Sequence, residues 1–152
     1  MSAMSDYLEN KLVDHLFRGQ SFTPPASLFV ALFKSPGPGE EGSLGSEVST
    51  TGTGYARVEI VTALTAFSGT QGAGTTEASS GTGGQTSNNA AITFPVPTGN
   101  WTPDGQITHI GVFDAATAGN LLLHGALDAP KNVNLGDSAP SFAAGAMLFT
   151  LN

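Results

Sequence analysis

The strongest pattern of apolar and polar positions lies between residues 107 and 127. Ile107-Thr-His-Ile-Gly-Val-Phe-Asp114 and Asn120-Leu-Leu-Leu-His-Gly-Ala-Leu127 are apolar runs rich in strand formers, joined by a short loop that ends at Gly119. This predicts a β-hairpin at the heart of a sheet. Leu28-Phe-Val-Ala-Leu-Phe33 is apolar at every position, so both its faces should be covered, as in a central strand. From Tyr55 to Phe67 the pattern alternates, with Val58, Ile60, Thr62 and Leu64 on one side and Arg57, Glu59 and Val61 on the other. That spacing predicts a long, half-exposed strand. A short strand is expected over Asn89–Phe94, ended by Pro95. A turn-rich crossing follows from Asp128 to Asp137, with room for a short strand around Val133. A last strand runs from Phe142 to Leu151, with a bulge at Gly145.

Only the N-terminus has a helical period. Leu8, Leu12, Val13, Leu16 and Phe17 fall on one face; Ser5 can cap the first turn; Asp6 and Glu9 suit its dipole; Gly19 can end it. A helix over 5–18 is expected. Its stripe either packs on the domain's own sheet or docks on a neighbouring subunit through Leu8, Leu12, Leu16 and Phe17. Two stretches, 35–54 and 68–87, are rich in Gly, Ser and Thr and are expected to be flexible loops. The whole predicts one domain over 1–152. It is mainly β: an antiparallel, jelly-roll-like sandwich over 24–152 behind a single N-terminal amphipathic helix.

Composition narrows the function. Charged residues make up 11% of the chain, so its surface is either neutral and polar or widely covered by neighbours. The net charge is −7, and the five basic residues (Lys11, Arg18, Lys34, Arg57 and Lys131) are scattered singly. Nucleic acid and anionic membrane surfaces are therefore excluded as partners. With no cysteine there is neither a disulfide nor a thiolate metal site. The N-terminus lacks the basic and apolar regions of a signal peptide, and no apolar run approaches the ~20 residues of a membrane span.

No catalytic motif is present. Gly42-Ser-Leu-Gly-Ser46 is not a nucleophile elbow, and no lysine follows a glycine cluster as a phosphate loop requires. Glu40 and Glu41 sit in a loop and are not pre-organised for acid–base work. His109 and His124, on the two arms of the hairpin, could join Asp114 or Asp128 in a metal site. The plainer reading makes them hydrogen-bonded strand residues, and neither metal nor cofactor is expected. Trp101, the single tryptophan, either plugs one end of the core or, with Tyr55, offers a platform for a sugar ring.

Several segments resemble, in order, a family of small virion proteins of tailed bacteriophages. They are residues 5–19, residues 22–33, Gly54-Tyr-Ala-Arg57, the strand over 88–95, Thr108-His-Ile-Gly-Val-Phe-Asp-Ala115 and residues 119–127. Family members are commonly labelled tail fibre or minor tail proteins, and similar small β proteins decorate phage heads. The resemblance brings no catalytic residues, and it is weakest at 35–53 and 68–87, where glycine-rich inserts lengthen the loops. It implies a non-enzymatic structural subunit of the virion that binds other virion proteins, and a homo-oligomer. Head decoration, and a carbohydrate-binding module that attaches to a host surface glycan, are the alternative readings.

Overall fold

The computed structural model describes residues 2–72, 74–80 and 83–151. Among these described residues nine strands and one helix follow in the order β1 (Ser2–Met4), α1 (Asp6–Phe17), β2 (Ser27–Lys34), β3 (Val58–Val61), β4 (Gln85–Ser87), β5 (Ile92–Thr93), β6 (Ile107–Phe113), β7 (Leu121–Lys131), β8 (Ser141–Phe142) and β9 (Leu148–Thr150). The protein is mainly β with antiparallel pairing and one N-terminal helix, as the pattern predicts. The sandwich is lopsided. A five-stranded sheet, in the order β1-β7-β6-β2-β3, faces two ribbons of two strands each, β4–β9 and β5–β8.

The continuous apolar run of β2 puts it inside that sheet, between β6 and β3, with Val30 opposite both Val112 and Val58. Period-two alternation then sends its side chains to opposite faces. Val30 and Leu32 join the main core with Val112 from β6, Phe149 from β9, Ile92 from β5, and Phe94 and Trp101 beyond it. Ala31 and Phe33 point the other way and form a second cluster with Phe113 and Leu121. Gly111 makes this second cluster possible. A Cβ there would lie 2.9 Å from ring atoms of both Phe33 and Phe113, so any larger residue would push the two rings aside.

The predicted hairpin is β6–β7, in antiparallel register with Gly111 opposite His124. Its loop is closed by Asp114, which accepts bonds from the backbone and side-chain nitrogens of Asn120, both at 2.7 Å. Five elements depart from the sequence reading. β1 has no alternating pattern to announce it; it forms by pairing with β7, Ala3 opposite His124. The long strand expected over 55–67 shrinks to Val58–Val61. β7 runs on to Lys131, so the crossing after Asp128 begins later, and Val133 is buried outside any strand. The final strand is two strands, because Gly145, with φ of +76°, turns the chain between β8 and β9. Within 68–87, β4 pairs with β9, and Ser68 and Ser87 tie the ends of the excursion together through backbone and hydroxyl bonds. Positions 73, 81 and 82 of that stretch lie outside the described residues.

The 35–54 stretch also returns to the sheet. Lys34 N–H donates to Ser46 O at 2.8 Å and Val48 N–H to Leu32 O at 3.0 Å, which carries Val48 into the core and Glu47 beside Phe33. Tyr55 and Arg57 reach across to this returning segment.

Candidate docking surface

The helix is built as the capping residues predict. Ser5 is the N-cap, its hydroxyl oxygen accepting from Leu8 N–H, and Asp6 and Glu9 occupy the first turn. Ser5 also anchors the element to the sheet. It is buried; its backbone N–H donates to Leu122 O at 3.0 Å and its hydroxyl donates to Leu121 O. Asp6 N–H donates to Glu40 O at 3.0 Å. The far end is closed by Arg18 and Gln20 N–H on Asp14 O and by the Arg18–Asp14 ion pair at 2.9 Å.

Anchoring one end does not bury the stripe. No residue of α1 is buried, and its main packing partner is β7. Leu8 and Leu12 are half-buried, while Val13, Leu16 and Phe17 are 48%, 69% and 81% exposed. The four positions read as docking residues are thus split into an inner pair and an outer pair, and Val13 extends the outer one. Leu8 and Leu12 are thus the less exposed part of the stripe, and Val13, Leu16 and Phe17 the part turned to solvent.

Tyr55 and Trp101 take the opposite course. Both are core residues. Tyr55 lies edge-on to Trp101, ring centres 5.2 Å apart, and is stacked with Phe94 at 6.2 Å. The phenol oxygen accepts from Leu32 N–H at 2.9 Å and donates to Glu47 Oε1 at 3.2 Å. Burial, and then the Glu47 carboxylate, push that phenol far above its ordinary pKa. The indole N–H donates to Thr53 O at 2.8 Å. The reading of these two rings as a sugar platform is corrected here: both are enclosed and their polar atoms are spent inside the chain.

Two polar constellations went unseen in the sequence. Arg57 and Glu47 form a bidentate pair, Nε to Oε1 at 2.8 Å and Nη2 to Oε2 at 2.7 Å, with the Arg57 side chain only 4% exposed. Arg57 also donates to Ala115 O and Ala118 O in the hairpin loop and lies 3.7 Å over the Phe113 ring. One guanidinium therefore joins the 35–54 return, the hairpin loop and the second core cluster. Asn88 is equally buried. Its amide nitrogen donates to Ala90 O and Ala143 O, and its oxygen accepts from Met147 N–H. It holds the two ribbons to each other. Nothing in the local pattern marks these residues, since apart from Ala90 O their partners are 10 to 61 positions away in sequence.

His109 and His124 lie on adjacent strands, as expected of the hairpin. Thr108 Oγ1 is 2.8 Å from His109 Nδ1, and His109 is held below the ordinary histidine pKa by burial and then by the charge of His124. Asp114 is committed to Asn120, and Asp128 is exposed further along β7. Among the described residues no three histidine or carboxylate groups come together as a metal site would need. A broad cleft of about 1020 Å³ opens between the end of β7 and residues 137–148. Its acidic residues, Asp128 and Asp137, are solvated, and Asp137 accepts from Asn134 N–H. No described helix is long and apolar enough to cross a membrane.

A family model described as Podophage GP4 fiber I protein gp80 matches residues 3–150, nearly the whole chain. No curated protein matches it.

Proposed function

This chain belongs to the podophage GP4 fiber I protein gp80 family, a family of phage fibre structural proteins, and we propose that it serves as a non-enzymatic subunit whose α1 face docks on other virion proteins. One observation carries the reading. Val13, Leu16 and Phe17 stand exposed on a helix whose first turn is fixed to the sheet through a buried serine. A clustered apolar face that the chain leaves open marks an interaction site, and a fixed helix presents that face without a large ordering penalty. The low charge of the chain suits a surface made to be covered.

The fibre family favours the fibre reading over head decoration. Host-glycan attachment has lost its platform, because Tyr55 and Trp101 are enclosed. The test is a phage carrying the double substitution Leu16→Gln and Phe17→Gln, which removes the apolar groups without placing charge at the helix C-terminus. The purified variant should melt with the parent, and the purified particles should lack it. Particles that contain the folded variant at parental copy number would overturn the reading.

A further inference from the structure

On one side of the sandwich the strands run out of partners. Among the described residues β1 pairs with β7 only as far as Gly125, yet β7 continues to Lys131. Its other side is loosened there too: Ala126 faces His109 and Lys131 faces Ile107, so residues 127–130 stand against Thr108 alone. Across the cleft of about 1020 Å³ lie β8 and β9. Pro140 O accepts from Phe94 N–H, so ladder alternation turns the N–H and C=O of Ser141 away from β5. Leu151 N–H donates to Gly84 O, so the same alternation turns those of Leu148 away from β4. Neither β8 nor β9 has a second neighbour in its sheet among the described residues, and Ser141 and Leu148 both line the cleft. Three strand edges thus border one opening.

Open backbone donors and acceptors on a strand edge are a template for a further strand. The chemistry of the cleft defines that strand. Ile110, Leu127, Phe142 and Met147 give the cleft an apolar floor, and Asp128 and Asp137 stand at its exposed rim against one cation, Lys131. An extended segment alternates its side chains between two faces, so it can send apolar groups to the floor and a basic group to the rim. At about 3.3 Å per residue, the stretch of β7 from Ala126 to Lys131 offers it roughly 20 Å. Another copy of this chain cannot supply such a segment. Lys11 and Arg18 lie on or at the end of α1, Lys34 is inside the sheet on β2, Arg57 is locked on Glu47, and Lys131 belongs to the cleft itself. The net charge of −7 opposes a second copy as well. We infer that an extended segment of a different virion protein, carrying a lysine or arginine, adds to the fold as a strand in this cleft. Asp128 and Pro130 on the β7 edge hinder acidic and unselected strands, which reserves the site for a basic one. Among the described residues none of α1 lines the cleft, so this is a second surface beyond the docking role proposed above.

Amide exchange of the free chain and of purified particles reads the strand edges directly. The amides of Ser141 and Leu148 should exchange freely in the free chain and slow by about tenfold or more in particles. A photoreactive benzophenone residue in place of Ser138, in the cleft wall, should cross-link in particles to one other virion protein, through a segment that contains lysine or arginine. Asp128→Lys, at an exposed position, should melt with the parent and lower the yield of that cross-link several-fold. The inference is overturned by unchanged exchange at Ser141 and Leu148, by no cross-link, or by a cross-link to a second copy or to a segment without a basic residue. An undiminished yield from Asp128→Lys overturns it too. If Phe17 is covered in particles while Ser141 and Leu148 still exchange freely, the α1 docking role stands and only the strand in the cleft falls.

Discussion

The cluster of Tyr55, Phe94 and Trp101 and the face of Val13, Leu16 and Phe17 are both apolar, yet only the first has left water. In the cluster each polar atom finds a partner nearby: the phenol bridges Leu32 N–H and Glu47, and the indole N–H reaches Thr53 O. The returning 35–54 segment supplies Glu47 and Thr53, so it encloses the rings and satisfies them together. On α1 no segment returns. The helix is fixed at Ser5 and packs chiefly on β7, and of its stripe only Leu8 and Leu12 are half-buried. An apolar group is enclosed when some other part of the chain can lie over it without leaving its own backbone unpaired. The loops provide that cover for Tyr55 and Trp101, and the N-terminal helix has none.

The largest effect should come from emptying the enclosed region. Trp101→Ala should cost about 3–5 kcal/mol in chemical unfolding, lowering the melting temperature by about 2–4 °C for each kcal/mol. A variant that melts with the parent would place Trp101 outside the core and erase the contrast. Arg57→Ala should cost about 3–5 kcal/mol, because Glu47 would be left charged and largely buried. Ser5→Ala, which loosens the anchor of α1, should cost about 0.5–2 kcal/mol, read as a lower melting temperature and faster amide exchange in the first turn.

A smaller effect is expected with pH. His109 binds its proton less readily folded than unfolded, so its contribution to stability is complete above its unfolded pKa of about 6.5. That contribution falls away as the pH drops below this value. His109→Gln should flatten that decline, measured as the melting temperature across pH. At the other end of the scale, Leu16→Gln with Phe17→Gln should change stability by less than about 0.5 kcal/mol. A large loss there would mean that the outer face of α1 supports the fold after all.

The fold was legible where the pattern was regular. The uninterrupted run of Leu28–Phe33 marked the central strand, the two arms of 107–127 marked the hairpin, and the capping residues placed the helix within one residue at each end. Legibility failed where pairing depended on distant partners. β1 exists because β7 offers it an edge, and β4 because β9 does. Glycine-rich composition announced loops at 35–54 and 68–87, but it could not show that Glu47 and Val48 return to the sheet or that Ser68 meets Ser87. The docking face was half legible. Helical spacing gathered Leu8, Leu12, Leu16 and Phe17 on one side, but only the burial in the folded chain separates the inner pair from the outer. The charged clamp of Arg57 on Glu47 had no local signature, because a residue that alternates on a strand looks the same whether its partner is water or a carboxylate ten positions away.

The central claim is that the outer face of α1 is covered in the particle and bare in the free chain. Hydroxyl-radical footprinting of both states tests it directly. Phe17 and Leu16 should be oxidised in the free protein and protected in assembled particles, with Tyr55 and Trp101 protected in both. Phe17 equally reactive in the two states would contradict the account.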